Sequence, residues 1–235
     1  MRDIFRLVMV TTIAAALATG PALAHIPHAS WLMGKMEHKR EVMGVRSYTI
    51  EMTCGLPGQN PHKEKLLLKT PRMVRREKDD GTVIVCNKNK CREKAPGKTP
   101  VLLPSWVFVQ YLFFVEKSVS ADRWVRLLRS LKIDTKVNTL TRSGSRVAVV
   151  LGAKEWERDR PQLWIDKDRY LPLRLMVKEK DRLVDIQWLK WGSRTTGDWF
   201  PQTIEIHSDG ELMDTCTVEH VEANKPISSD LFRLE

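Results

Sequence analysis

From residue 48 onward the sequence alternates, and that alternation is its tightest constraint on fold. Tyr48, Ile50, Met52 and Cys54 are separated by Thr49, Glu51 and Thr53, a period of two that sets the apolar side chains on one face of a strand and the polar ones on the other. The cluster Gly55-Leu56-Pro57-Gly58-Gln59-Asn60-Pro61 then turns the chain. Strand-like segments follow at 65–69, 74–77 and 82–86. After Gly144 the same signals resume at 146–151, 162–166, 171–178, 183–191, 199–207 and 211–221. Their connections, such as Asp166-Lys167-Asp168-Arg169 and Ser208-Asp209-Gly210, are of hairpin length. Successive hairpins predict an antiparallel sheet, and this many strands tend to curl into a barrel or half-barrel.

Two regions break the alternation. Residues 29–45 place Ala29, Leu32, Met33, Met36 and Met43 at helical spacing, with Lys35, Glu37, Lys39, Arg40 and Glu41 on the other side, which predicts an amphipathic N-terminal helix. Between the two meanders, residues 106–114 form an apolar run too short to span a bilayer. Ser120 then caps a helix with Trp124, Leu127, Leu128 and Leu131 on one face and Arg123, Arg126, Arg129 and Lys132 around it. Helices inserted mid-meander are placed to plug or lid the concave face of the sheet, and an apolar cup of that kind is a ligand cavity unless side chains fill it. The expected lining is Trp106, Phe108, Tyr111, Leu112 and Phe113 from the lid, facing Tyr48, Ile50, Met52, Val149 and Leu173 from the strands. The competing reading is a filled core, because aromatic and methionine stripes usually mean packing.

The extreme N-terminus places the chain. Arg2 and Arg6 precede an apolar run from Leu7 to Gly20, and Pro21-Ala22-Leu23-Ala24 supplies small residues for cleavage. Residues 1–24 are therefore read as a signal peptide and 25–235 as a single domain. His25 follows, where a lipid-modified protein would need Cys, so a soluble product outside the cytoplasm is expected. Transmembrane, nuclear and cytosolic assignments are excluded by this reading.

Export makes the four cysteines, Cys54, Cys86, Cys91 and Cys216, candidates for disulfides, with three possible connectivities. Cys86 and Cys91 flank Asn87-Lys88-Asn89-Lys90, so a hairpin brings them opposite each other and leaves Cys54 for Cys216. Zinc is the alternative, but the C-x4-C spacing is loose and nothing completes a tetrad. A free amino-terminal His25, with His28 nearby, offers a copper chelate through amine and ring, although no other residue supports it. His207 and His220, near the ends of the last two strands, are placed to face each other without a third ligand.

No catalytic constellation emerges. Asp166 and Asp168 lie in a turn beside Lys167 and Arg169, and Ser143-Gly144-Ser145 lacks the strand-to-helix context of a nucleophile elbow. The formal charge is +10, and residues 63–98 hold twelve Lys and Arg against five Asp and Glu. That segment is a candidate surface for anionic lipids or acidic partners, or simply a solvated sheet face. No nucleic-acid motif accompanies it, and no nucleic acid or cofactor is expected.

Several segments, taken in order, resemble the outer-membrane lipoprotein-sorting (LolA-like) superfamily. They are Leu163-Trp164-Ile165-Asp166 with Leu171-Pro172-Leu173-Arg174, then Trp199-Phe200-Pro201-Gln202-Thr203-Ile204, and the closing Ala223-Asn224-Lys225-Pro226-Ile227-Ser228-Ser229-Asp230-Leu231-Phe232. Pro71-Arg72-Met73-Val74-Arg75-Arg76-Glu77 is similar to the superfamily's Pro-x-x-x-Arg-x-Glu strand, and residues 83–91 match its next hairpin. The resemblance implies a mainly β, α+β fold, an unclosed antiparallel β-barrel with a helical lid and an N-terminal helix. It implies a non-enzymatic, monomeric carrier in the periplasm that binds acyl chains of a lipoprotein or a phospholipid, with an inner-membrane transporter or outer-membrane acceptor as partner. The superfamily also has a sensor branch that binds a membrane regulator, so that role stays open. One departure bears on it: the carriers have an Arg directly before the strand's Pro, which helps hold the lid, and Thr70 stands there here.

Overall fold

A computed structural model describes residues 26–87, 90–116, 119–154 and 156–233. The expected signal peptide, His25 and the Lys88-Asn89 turn centre lie outside the described residues.

Helix α1, Ala29–Met43, stops at Gly44, whose left-handed backbone (φ 64°) returns its N–H to the carbonyls of Arg40 and Glu41. Six strands follow: β1 (Ser47–Gly55), β2 (His62–Lys69), β3 (Met73–Lys78), β4 (Val83–Asn87), β5 (Lys90–Lys94) and β6 (Val101–Leu102). Three helices come next, α2 (Trp106–Val109), α3 (Leu112–Val115) and α4 (Ala121–Ser130). The second meander contains β7 (Asn138–Ser143), β8 (Arg146–Leu151), β9 (Gln162–Asp166), β10 (Pro172–Glu179), β11 (Arg182–Leu189), β12 (Thr203–Ser208) and β13 (Glu211–Ala223). A 3-10 turn at Ser229–Phe232 ends the described chain.

All thirteen strands join one antiparallel sheet in the order β6-β5-β4-β3-β2-β1-β13-β12-β11-β10-β9-β8-β7. The two meanders are stitched together by β1 against β13, and β6 and β7 are left as opposite free edges, so the barrel is unclosed. This topology locates the helices. Because β6 and β7 are consecutive in sequence but lie at opposite edges, residues 103–116 and 119–137 belong to a connection from one edge to the other, and α2, α3 and α4 lie on it and pack into the main core.

Period two sorts the side chains as expected. Inward positions such as Ile50, Leu66, Val149, Ile165, Leu175 and Ile186 are fully buried, and they form one core with Leu32, Met33 and Met36 of α1 and with the lid helices. Gly34 of α1 lies against Ala121 of α4, where an added Cβ would stand 3.9 Å away, so the two helices approach closely. Gly152 ends β8 at φ 103°, and a Cβ there would meet the Pro161 carbonyl at 2.6 Å and Ile133 at 2.7 Å. On the outer face, Phe232 packs on Leu67 and Val85 in a separate small cluster. Lys69 Nζ donates to the Ile227 carbonyl (2.6 Å) and Arg75 Nη1 to that of Leu231 (2.8 Å), which fastens the C-terminal segment over β2–β4.

Several expectations need correction. β7 lies outside the expected strands, because it has one large apolar residue, Leu140, among polar ones. The strand expected at 199–207 begins only at Thr203, because Pro201 has no N–H for the ladder. Glu37, assigned to the polar side of α1, is buried at that helix's contact with α4. Of the basic segment 63–98, Arg72, Arg75 and Arg76 are taken up in ion pairs with Glu116, Glu77 and Glu64, which leaves Lys63, Lys65, Lys90, Arg92 and Lys98 exposed.

Candidate functional site: the lidded concave face

Both disulfides join directly opposed residues of adjacent strands. Cys54 pairs with Cys216 across β1 and β13, and Cys86 with Cys91 across β4 and β5. The first closes a sequence separation of 162 residues and ties the two meanders where they meet. Glu64 has a carboxylate oxygen near both sulfurs of this bond, but paired sulfurs provide no thiolate for a metal.

The ten expected lining residues all belong to the main core or pack against it. Tyr48, Ile50, Met52, Phe108, Tyr111, Leu112, Phe113, Val149 and Leu173 are buried members of a single core, and Trp106 is half-buried against it. In this closed arrangement they are packing partners, with lid side chains filling the concave face. Phe113 stacks on Trp124 of α4 (5.4 Å between centroids) and stands edge-on to Trp188 of β11 (5.5 Å). Phe114 contacts Phe200 at 4.6 Å and stacks on Trp191 at 6.1 Å. Helices α2 and α3 have four residues each, too few to be stable alone, so this packing is what holds them helical.

Polar groups that the sequence reading missed pin this lid at two places. Deep on the concave face, Arg76 of β3 donates to Glu64 of β2 (Nε 2.8 Å, Nη2 2.6 Å), and His62 Nε2 lies 2.8 Å from the other Glu64 oxygen. Asp214 stands 3.8 Å from Arg76, and the Tyr111 phenol, between α2 and α3, packs beside the guanidinium. Burial works against the Arg76 charge, but Tyr111, Glu64 and Asp214 outweigh it and hold the guanidinium above the usual arginine range. Burial likewise pushes the Tyr111 phenol well up, keeping it neutral. The alternation itself pointed to this pair: position 64 shares a side with Leu66 and Leu68, and position 76 with Val74.

The second anchor is at the end of α3. Glu116, with only 2% of its side chain exposed, forms an ion pair with Arg72. Arg72 N–H donates to the Val115 carbonyl at 3.0 Å, and Arg40 Nη2 of α1 donates to the Glu116 carbonyl at 2.7 Å. Beyond it, Glu37 accepts from Val119 N–H (3.3 Å) and from Trp124 Nε1 (3.1 Å). Thr70 Oγ1 only donates to the Arg46 carbonyl. The guanidinium groups at this second anchor thus come from Arg72 and Arg40, not from position 70.

The other singled-out residues have structural roles. Asp166 is buried and accepts from the N–H groups of Asp168 (3.0 Å) and Arg169 (2.9 Å), so it shapes the β9–β10 turn. His207 and His220 do not meet: each lies by a glutamate of its own strand, Glu205 at 3.3 Å and Glu222 at 3.5 Å. His28 stands at the N-cap of α1 with extended backbone. Among the described residues, no helix is long and apolar enough to cross a membrane.

No family sequence model matches the chain, and no curated protein matches it by sequence. Solved structures do match it. A protein described as an outer membrane lipoprotein-sorting protein domain from Vibrio parahaemolyticus superimposes with a TM-score of 0.57 at 10% identity, over 87% of this chain and 95% of that one. A DUF1329 family protein from Desulfovibrio piger gives 0.55 at 14% identity, over 87% and 95%. A LolA superfamily protein from Nitrosomonas europaea gives 0.51 at 12% identity, over 88% and 98%. With a 13-stranded unclosed sheet, an N-terminal helix and helices across its mouth, the chain has the fold of LolA-superfamily and outer-membrane lipoprotein-sorting proteins.

Proposed function

We propose that the protein is a non-enzymatic periplasmic carrier that buries the acyl chains of a lipoprotein or phospholipid on its concave face, for transfer toward the outer membrane. The observation that carries this reading is what fills that face. Its apolar strands are covered by residues 104–116, a segment between β6 and α4, whose Phe108, Leu112, Phe113 and Phe114 occupy the space. Lifting that segment exposes a groove lined by Ile50, Leu66, Val149, Leu173 and Ile186. Each methylene buried there contributes about 0.8 kcal/mol, so one or two chains compensate for the lid contacts given up. The exposed lysines of the basic segment, such as Lys63, Lys65 and Lys90, then suit an acidic transporter or acceptor protein.

The test is a titration of purified protein with a fluorescent fatty acid, followed by displacement with unlabelled fatty acid and with a diacylated lipopeptide. Saturable uptake and displacement are expected. Absence of uptake, together with tight association with one membrane-bound regulator, would replace the carrier reading by a sensor of the same fold.

A further inference from the structure

A second surface lies outside the lidded face. Helix α1 buries one side, and its exposed side carries Trp31, Lys35, His38 and Val42. At about 100° per residue these four fall within roughly 60° of one another and form a single ridge. Trp31 is 46% exposed and Val42 74%, so the ridge sets two apolar side chains on one solvent-facing line. Two loops of the second meander flank the ridge. Tyr170 of the β9–β10 turn stands edge-on to Trp31 at 5.8 Å, and Lys39 Nζ reaches Asp198 of the β11–β12 connection at 2.9 Å. Next to Asp198 is Trp199, 44% exposed.

The same face is cationic. Lys35 Nζ lies 5.3 Å over the Trp31 ring, and Arg169 shares Asp198 with Lys39, so one carboxylate serves two cations. Burial lowers the pKa values of Lys39 and Arg169, and each has a cationic neighbour, Arg169 and Arg146 respectively, that lowers it further. On the other side, Arg126, Arg129 and Lys136 border Ser30 at the start of α1. Exposed indoles and a valine set among surplus cations are complementary to one kind of surface, an apolar interior under an anionic rim.

We propose that this face, the α1 ridge with Trp199, docks the protein on an anionic lipid bilayer. Trp31, Val42 and Trp199 enter the headgroup region, and Lys35, Lys39 and Arg169 lie against lipid phosphates. Docking through this face is separate from the concave site and does not require an acyl chain to be bound there.

The test is co-sedimentation of a chain starting at residue 25 with vesicles of phosphatidylcholine alone or mixed with phosphatidylglycerol. Binding should appear with the anionic vesicles and fall as salt is added. Replacing Lys35 with Gln should weaken it about fivefold, the ratio set by ~1 kcal/mol per cation near such a surface. Combining Trp31→Ala and Trp199→Ala should weaken it further, with unchanged circular dichroism. Lys63→Gln with Lys65→Gln, on the outer face of β2, should leave binding intact. The proposal fails if phosphatidylglycerol makes no difference, or if the β2 pair weakens binding while the α1 variants do not. It also fails if an acidic protein is bound and vesicles are not. Fatty-acid uptake by the same variants reports the carrier reading separately.

Discussion

Replacing Glu116 with Gln should loosen the lid without unfolding the sheet. Eight lid side chains, Val107, Phe108, Val109, Tyr111, Leu112, Phe113, Phe114 and Val115, are buried. At about 1.5–3 kcal/mol each their transfer favours closure by roughly 12–24 kcal/mol. Ordering residues 104–116 costs about 1.5 kcal/mol per residue, roughly 20 kcal/mol in all. The two nearly cancel, so small polar terms decide how often the lid opens. Removing one partner from a fully buried ion pair costs about 3–5 kcal/mol. Arg72 retains 21% of its side-chain exposure, and water can partly solvate it once Glu116 is neutral, which brings the loss to about 2 kcal/mol. That corresponds to an opening equilibrium shifted about 30-fold. Native-state hydrogen exchange reads it directly: amides of residues 107–116 should exchange about 30-fold faster, while those of β1, β2 and β13 keep their wild-type rates. Fatty-acid uptake should accelerate in parallel. Unchanged lid exchange would show that the Arg72–Glu116 pair does not hold the lid, and an equal acceleration across the sheet would show that the lid is not a separate unit.

Further outcomes are expected on the same grounds. Phe108→Asp or Leu112→Asp should abolish acyl binding while circular dichroism reports an intact sheet, since an uncompensated carboxylate on the concave face costs several kcal/mol. Removing the Cys54–Cys216 bond should lower stability by up to about 5 kcal/mol in the chain-entropy model and removing Cys86–Cys91 by about 2, as compared by denaturant midpoints. Stability should also fall in alkali. Burial raises the Tyr48 phenol from 10.0 to about 12, with Arg40 opposing. A folded pKa above the unfolded one gives stability that is complete below pH 10 and lost as pH rises toward 12. Phenolate absorbance should show Tyr48 ionising together with unfolding; its ionisation in the folded protein near pH 10 would contradict this.

Much of the architecture was legible because it rests on local signals. Tyr48, Ile50, Met52 and Cys54 announce β1 by period, and Cys86 and Cys91 announce a hairpin by spacing. Ser120 announces α4 by its cap, and its Oγ does accept from Arg123 N–H at 3.3 Å. Edge strand β7 was invisible because an edge buries little and needs few apolar residues. The lid anchors were missed for another reason. Arg40, Arg72 and Glu116 are far apart in sequence, and each taken alone looks like an ordinary surface charge. Only the connection between opposite sheet edges brings them together. Glu64 and Arg76 are legible in principle, since period two turns both inward, but they sit in a run of charges whose adjacent members face outward.

Whether acyl chains occupy the concave face beneath residues 104–116 is decided by photo-crosslinking. A fatty acid carrying a diazirine near its methyl end would be bound, irradiated and mapped by peptide mass spectrometry. Adducts are expected on inward residues such as Ile50, Leu66, Val149 and Phe108, suppressed by excess unlabelled fatty acid and by Leu112→Asp. Adducts confined to the outer faces of the strands, or labelling that competitor does not reduce, would contradict that occupancy.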